Sequence, residues 1–180
     1  MYEDTLKLIL SLGGRKPAPS LAPGLDALFR DLARARGPAE ASRVEERIWA
    51  AWMSHADPAA EAELERATRA IAAGDHAEGE AILDDLVQSH PDYAEAWNKR
   101  ATLYFRLGRD AESVRDIQRT LALEPRHFGA ICGFGQICLR KGDRAGALFA
   151  FDAALRIDPH LGAVRAAFEE LVAEAERTRH

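Results

Sequence analysis

Between Ala94 and His127 the chain reads AEAWNKRATLYFRLGRDAESVRDIQRTLALEPRH. Trp97, Ala101, Tyr104 and Leu107 are apolar or small at steps of three and four, the stripe of an amphipathic helix. Gly108 ends that stripe, because the residue past a helix end often needs φ > 0, which glycine takes at no steric cost. A second stripe, Val114, Ile117, Leu121 and Leu123, follows and stops at Pro125. Two helices joined by about three residues must lie antiparallel.

The hairpin recurs at a fixed distance. Gly74, Gly108 and Gly142 are 34 residues apart, as are Pro91, Pro125 and Pro159. Ala67, Ala101 and Gly135 repeat as small residues at the same step, and Leu83, Ile117 and Phe151 as large apolar ones. A 34-residue helix–turn–helix period with Trp, small, Tyr, Gly, Ala and Pro in this order resembles the tetratricopeptide repeat. The resemblance covers Ala60 to Leu161, as repeats 60–93, 94–127 and 128–161. It implies an all-α fold, a right-handed solenoid of antiparallel helix pairs. It also implies a small residue at the eighth and twentieth positions (Ala67 and Gly79, Ala101 and Ser113, Gly135 and Ala147), where the two helices cross closely. Trp97 and Tyr104 are expected to fill the space between neighbouring helices. Arg66 and Arg100 stand at the seventh position, where the family usually has Leu, and their stems are expected to cover apolar surface with the guanidinium in water.

The flanks are less regular. Residues 1–12 offer one or two helical turns with Leu6, Leu8, Ile9 and Leu10, and Gly13–Pro23 (GGRKPAPSLAP) is a linker without periodicity. Residues 1–23 are therefore expected to be a flexible tail; the alternative is that the apolar run docks on a surface of its own chain or of a second protomer. Leu25, Leu28, Phe29 and Leu32 mark one helix, and Val44, Ile48 and Trp52 another beyond the Gly37-Pro38 break. Residues 24–58 look like a degenerate N-terminal helix pair, with Trp49 and Trp52 packing inside it. Asp57-Pro58 is a helix start, and Asp75 with Glu78 a capping-box-like pair. The last helix, Ala163 to Arg179 within residues 162–180, is apolar on one side and charged on the other, the capping helix that a solenoid end requires.

Composition narrows the function. The net charge of −5, with no basic run longer than two residues, argues against a nucleic-acid surface. No stretch approaches the roughly 18–20 apolar residues of a membrane span. Glu3 and Asp4 stand where a signal peptide would be positive, so the chain reads as cytoplasmic. Cys132 and Cys138 would lie about 9 Å apart by helix rise, beyond disulfide reach. No phosphate-binding loop, dinucleotide fingerprint, HExxH or nucleophile elbow occurs, and no cofactor, metal or catalytic residue is assigned. His90, His127 and His160 sit beside the repeat-ending prolines and read as turn residues near the surface, and Asp84-Asp85 as a solvated face.

What remains is the inner wall of a curved stack, lined by the first helix of each repeat. By the resemblance, its groove is offered by Leu64, Thr68 and Ile71; by Asn98, Lys99, Thr102, Phe105 and Arg106; and by Cys132, Gln136, Leu139 and Arg140. Ile71, Phe105 and Leu139 would form an apolar stripe, and Asn98, Thr102 and Gln136 could bond an extended peptide backbone. The alternative is that the chain's own tail or last helix covers the stripe. The carboxylate clamp of one family subgroup is missing, since its positions hold Leu64, Thr68, Gly129 and Gly133. These readings imply a non-enzymatic adaptor that holds a partner's peptide or helix in the groove. The rivals are a self-associating protein with Leu6–Leu12 in another copy's groove, and a regulatory subunit of an enzyme.

Overall fold

The computed structural model describes residues 1–22 and 24–177; residues 178–180 of the expected last helix, and Pro23 of the linker, lie outside them. The described residues form helices and no strand. They are α1 (Tyr2–Ser11), α2 (Leu25–Arg34), α3 (Pro38–Met53), α4 (Pro58–Ala72), α5 (His76–Ser89), α6 (Ala94–Arg106), α7 (Asp110–Leu123), α8 (Phe128–Arg140), α9 (Arg144–Ile157) and α10 (Gly162–Arg177). Each helix from α4 to α9 has its boundaries written locally. Asp57, Asp75 and Asp143 accept hydrogen bonds from the backbone N–H groups of Ala59, Glu78 and Gly146 at 2.9, 3.0 and 2.9 Å. Gly74, Gly108 and Gly142 close α4, α6 and α8 with φ of 87°, 75° and 78°, so no side chain is tolerated there without strain.

Three helix pairs, α4–α5, α6–α7 and α8–α9, carry most of the helix packing, and each stacks on the next. The pairs close because their crossing points lack bulk. A Cβ added at Gly79 would lie 2.5 Å from Cγ1 of Ile71, and one at Gly135 would lie 2.5 Å from Cε1 of Phe151. In the middle pair the Ser113 hydroxyl donates to the Ala101 carbonyl at 2.7 Å, so even its polar atom is used within the crossing. One apolar cluster joins α4 and α5 to Ala96 and Leu103 of α6, with Met53 of α3 against it, and a larger one joins α1, α2 and α3 to α6–α10. The last helix, α10, packs on α9 and buries Leu171, with its acidic side turned out.

The seventh-position arginines behave differently from each other. Arg66 is half exposed and pairs with Glu63 on its own helix. Arg100 does not put its guanidinium into water. It grips Asp116 of α7 through two nitrogens at 2.8 and 3.0 Å and Asp84 of α5 at 2.8 Å. Asp84 is therefore a cross-helix partner, not part of a solvated face, because a planar guanidinium between two second helices can satisfy both carboxylates. Tyr104 is buried under Arg109, 4.2 Å from its ring, but Trp97 is only half-buried and lies under Arg100 and Arg119. Phe134, the seventh residue of the third repeat, is fully buried.

The N-terminal segment departs from expectation. Residues 2–11 are not a loose tail. They form α1, which packs on the chain's own α7 and α9 and buries Thr5 and Ile9. The Tyr2 ring lies 6.2 Å from that of Phe134. Apolar residues at steps of three and four find an apolar trough only where position seven is Phe rather than Arg. The run Leu6–Leu12 thus sits on the second helices of its own chain, not in a groove of first helices.

The α2–α3 pair also has an unexpected seat. Instead of stacking on α4 as a preceding repeat, α3 packs on α6 and crosses the start of α8. Trp52 stacks face to face on His127, with ring centroids 4.0 Å apart, and Trp49 stands edge-on to His127 and Phe128. Trp52 packs inside its own pair, 6.1 Å from the Phe29 ring of α2, and both tryptophans also reach across to the start of α8. His127 is consequently buried rather than a surface turn residue. Its Nδ1 accepts from the Ala130 N–H at 3.1 Å, and its Nε2 meets Glu95 at 2.8 Å. Burial alone would raise the Glu95 carboxyl. The hydrogen bond from His127, then Lys99 and Asn98, outweigh it and hold the group below its usual value.

Two outcomes follow. Gly135→Ala should cost about 1–3 kcal/mol in a denaturant melt, because the buried Phe151 ring must move, against about 1 kcal/mol of helix propensity gained. Glu95 has a folded pKa below its unfolded value of about 4.3, so its contribution is present above that pH and lost as pH falls through the folded value. Urea melts of the wild type and Glu95→Gln should therefore differ at pH 7 and converge as the pH drops below about 4.

Candidate partner-binding groove

The first helices α6 and α8 lie side by side and enclose a hollow of about 210 Å³. Its floor is Ala101, Ser113 and Ile117; its walls are Asn98, Thr102 and Phe105 on α6, and Gly129, Ala130, Gly133 and Gln136 on α8. The two glycines, one helical turn apart, keep the α8 wall low. A side chain at Gly133 would reach only Ile117, at 3.7 Å from its Cβ. At Gly129 the space is taken, since a Cβ there would lie 2.6 Å from the Trp49 ring. Thus α3 closes one end of the hollow in cis and leaves the Gly133–Gln136 part open.

The polar groups of the hollow are held in fixed directions. Asn98 is buried and donates its amide to both oxygens of Glu95 at 3.2 Å, leaving its carbonyl oxygen as an acceptor. The Thr102 hydroxyl donates to the backbone carbonyl of Asn98 at 3.0 Å and can still accept. Gln136 is exposed and can do both. Phe105 is half-buried, with the Arg140 guanidinium 3.7 Å from its ring centroid and an Arg140 nitrogen donating to its carbonyl at 2.9 Å. Arg140 is in turn paired with Asp110 of α7.

Of the residues that the sequence placed in the groove, Asn98, Thr102, Phe105 and Gln136 surround one hollow, with Arg140 on its rim over Phe105. The others do not join them. Leu64 is fully buried in the α4–α5 cluster and offers no surface, because the step that places it on the wall also points it at α5. The hydroxyl of Thr68 is bound to the Leu64 carbonyl at 2.8 Å. Ile71 leans into the space left by Gly79, and Leu139 borders a separate hollow against Ala167 and Leu171 of α10. The expected stripe of Ile71, Phe105 and Leu139 is therefore three separate apolar contacts, not one surface. Lys99 is drawn to Glu95 at 3.3 Å, and Arg106 is exposed at the end of α6. Cys132 is partly buried, and its thiol is pushed up to about 12 by burial and then by Asp158; Cys138 is pushed up to about 11 by burial and Asp143. Neither thiol is a nucleophile at neutral pH.

Sequence reasoning missed Gly129, Gly133 and the Trp49–Trp52–His127–Glu95 group. The pair of glycines inside a helix was the available signal, since such positions mark a close approach by something else. Among the described residues no cluster of His, Cys, Asp and Glu has the geometry of a metal site, and no helix is long and apolar enough to cross a membrane.

The description "Tetratricopeptide repeat" is matched by residues 64–127 and again by residues 129–161. A TPR repeat-containing protein of Rhizobium etli is 35% identical over 145 residues, 81% of this chain and 71% of that protein. Among solved structures, the first TPR of Spaghetti bound to an HSP90 peptide superposes with a TM-score of 0.61 at 17% identity, over 65% of this chain and 93% of that one. The Yersinia enterocolitica type III secretion chaperone SycD, in complex with a peptide of the translocator YopD, superposes at 0.62 with 10% identity, over 67% and 97% of the two chains.

The two glycines of the α8 wall give opposite expectations. Gly133→Ala should raise stability by up to about 1 kcal/mol, since the helix gains propensity and the methyl meets ordinary contact distance. Gly129→Ala should lower it, since Trp49 must give way. Chemical denaturation of both variants against the wild type measures the difference.

Proposed function

This chain belongs to the tetratricopeptide repeat family, and we propose that it is a non-enzymatic interaction module that holds a segment of a partner protein against α6 and α8. The observation that carries the reading is the hollow itself. It is apolar at its floor and flanked by acceptors on Asn98 and Thr102 and by the Gln136 amide, which can both donate and accept, so that the N–H and C=O groups of an extended backbone can both be met. Family members with related folds are seen with peptides bound, in the Spaghetti and SycD structures. The site on this chain is narrower than the whole inner wall. It comprises Asn98, Thr102, Phe105, Gln136 and Gly133, with Arg140, Lys99 and Arg106 at its edge.

With Gly129 and Gly133 in place of cations, the wall has no clamp for a terminal carboxylate, so an internal segment with a small or apolar side chain for the Gly133 gap fits better. Residues 60–93, 94–127 and 128–161 act as the three repeats of this module, residues 24–58 as a brace, and residues from 162 onward as its end. The acidic net charge and two inert thiols suit a protein-binding role in the cytoplasm.

Selection of a random peptide library on the full chain tests this. Selected peptides should bind the wild type and lose at least tenfold in affinity to Thr102→Arg with Gln136→Arg, with the circular dichroism spectrum unchanged. Binding that survives this double variant would move the site elsewhere.

A further inference from the structure

The opposite face of the array holds a second groove, and the chain itself shows what fits it. Between the second helices α7 and α9 lies a trough whose base is Phe134 and Cys138 of α8, and α1 is its occupant. Tyr2 reaches the Phe134 ring, Thr5 and Ile9 are buried, and Gln118 of α7 donates to the Thr5 hydroxyl at 2.8 Å and to the Met1 carbonyl at 3.2 Å. The corresponding trough between α5 and α7 cannot take such a helix, because Arg100, Asp84 and Asp116 fill it with charge.

The fit of α1 is incomplete. Leu10 is 70% exposed, and beside it Leu6, Ala145, Gly146 and Phe149 border an open apolar hollow of about 280 Å³. After α1 one 3-10 turn, Leu12–Gly14, leads into a tether that contains Pro17 and Pro19 and has no helix through Ala22. Its polar anchors on the body include the Ala18 N–H to the Leu123 carbonyl at 2.7 Å and a long Ser20 contact to the Asp92 carbonyl at 3.4 Å.

We propose that the trough between α7 and α9 is a second binding site, one that takes an amphipathic helix of another protein in exchange for α1. The recognised pattern is read from the resident: an aromatic residue, a small hydroxyl residue three on, a β-branched residue seven on, and a side chain eight on that is larger than Leu and fills the open hollow. When such a helix enters, α1 leaves on its tether and exposes Leu6, Ile9 and Leu10. The site and the α6–α8 hollow share α7 and α8 but are lined by different residues of them, so the two can be occupied together.

The probe is a fluorescent peptide with the sequence of residues 1–12, titrated against full-length chains. In one, Ile9→Asp releases α1; a gentler release, Tyr2→Ser with Leu6→Ser, serves if the first variant melts early. In another, with Cys132→Ser in every chain compared, Leu10→Cys and Ala145→Cys are joined by a short bismaleimide that locks α1 down; Cys138 is buried and does not compete. The released chain should bind the peptide at least tenfold more tightly than the locked chain. A peptide with Leu10→Phe should bind several-fold better than the parent. Thr102→Arg with Gln136→Arg should leave both affinities unchanged, which separates this site from the α6–α8 hollow. Equal binding by released and locked chains, or no gain from Leu10→Phe, would overturn the proposal. A doubled mass of the wild type by light scattering, abolished in the locked chain, would also overturn it, because the trough would then belong to a second copy.

Discussion

The close crossing of the two helices in each repeat is the constraint on which the rest of the molecule rests. A crossing without bulk lets α4–α5, α6–α7 and α8–α9 each close as a hairpin, and closed hairpins of equal length stack with a constant offset. Gly79 and Gly135 are not interchangeable with alanine here, since Ile71 and Phe151 occupy the volume that a methyl would need. The side chains that fill these gaps come from the same hairpin, so each repeat completes its own crossing before it meets a neighbour. The offset then brings the seventh residue of α6 and of α8 between two second helices. That position decides what the outer trough can hold.

The seventh position shows how one residue type changes a surface. Arg100 between α5 and α7 draws in Asp84 and Asp116, and the result is a charged seam under Trp97 and Arg119. Burial pushes the Asp116 carboxyl up and Arg100 pulls it down, with burial prevailing. The same pairing raises the Arg100 guanidinium against its own burial, so each charge depends on the other once both have lost water. One repeat later Phe134 makes the trough apolar, and α1 lies in it. The same backbone thus offers a polar seam and a helix receptor on adjacent repeats.

The N-terminal pair works as a brace. From Glu45, beside Asp158 and His160, to Met53, whose carbonyl accepts from the Tyr93 hydroxyl, α3 ties the end of the third repeat back to the junction of the first and second. Its strongest anchor is Trp52 on His127. The imidazole is fixed on both sides, by the Ala130 N–H and by Glu95, so the ring presents a rigid face for the indole. Arg126 adds to the clasp by reaching Asp26 of α2 and lying 4.3 Å from the Phe29 ring. A repeat array alone has no contact between distant repeats; here the brace supplies one. It also shortens the inner wall by placing Trp49 against Gly129.

The sequence by itself determined the helix class, the hairpins, their 34-residue spacing and the family resemblance, because glycines, prolines, capping aspartates and small crossing residues act within a few positions of themselves. It also named the middle of the candidate hollow, since Asn98, Thr102 and Phe105 share a face of α6 by helical period and Gln136 stands one 34-residue repeat beyond Thr102. Tertiary structure decided everything that depends on which surfaces meet. Leu64 went into the core and Leu139 to α10, although both carry the same positional signature as exposed groove residues. Arg100 left water because two aspartates from different helices converge on it. His127 was buried by a tryptophan 75 residues earlier in the chain. The apolar run at the start became a docked helix because the third repeat, and not the second, has Phe at position seven. Periodicity states which face of a helix is apolar; only packing states what that face touches.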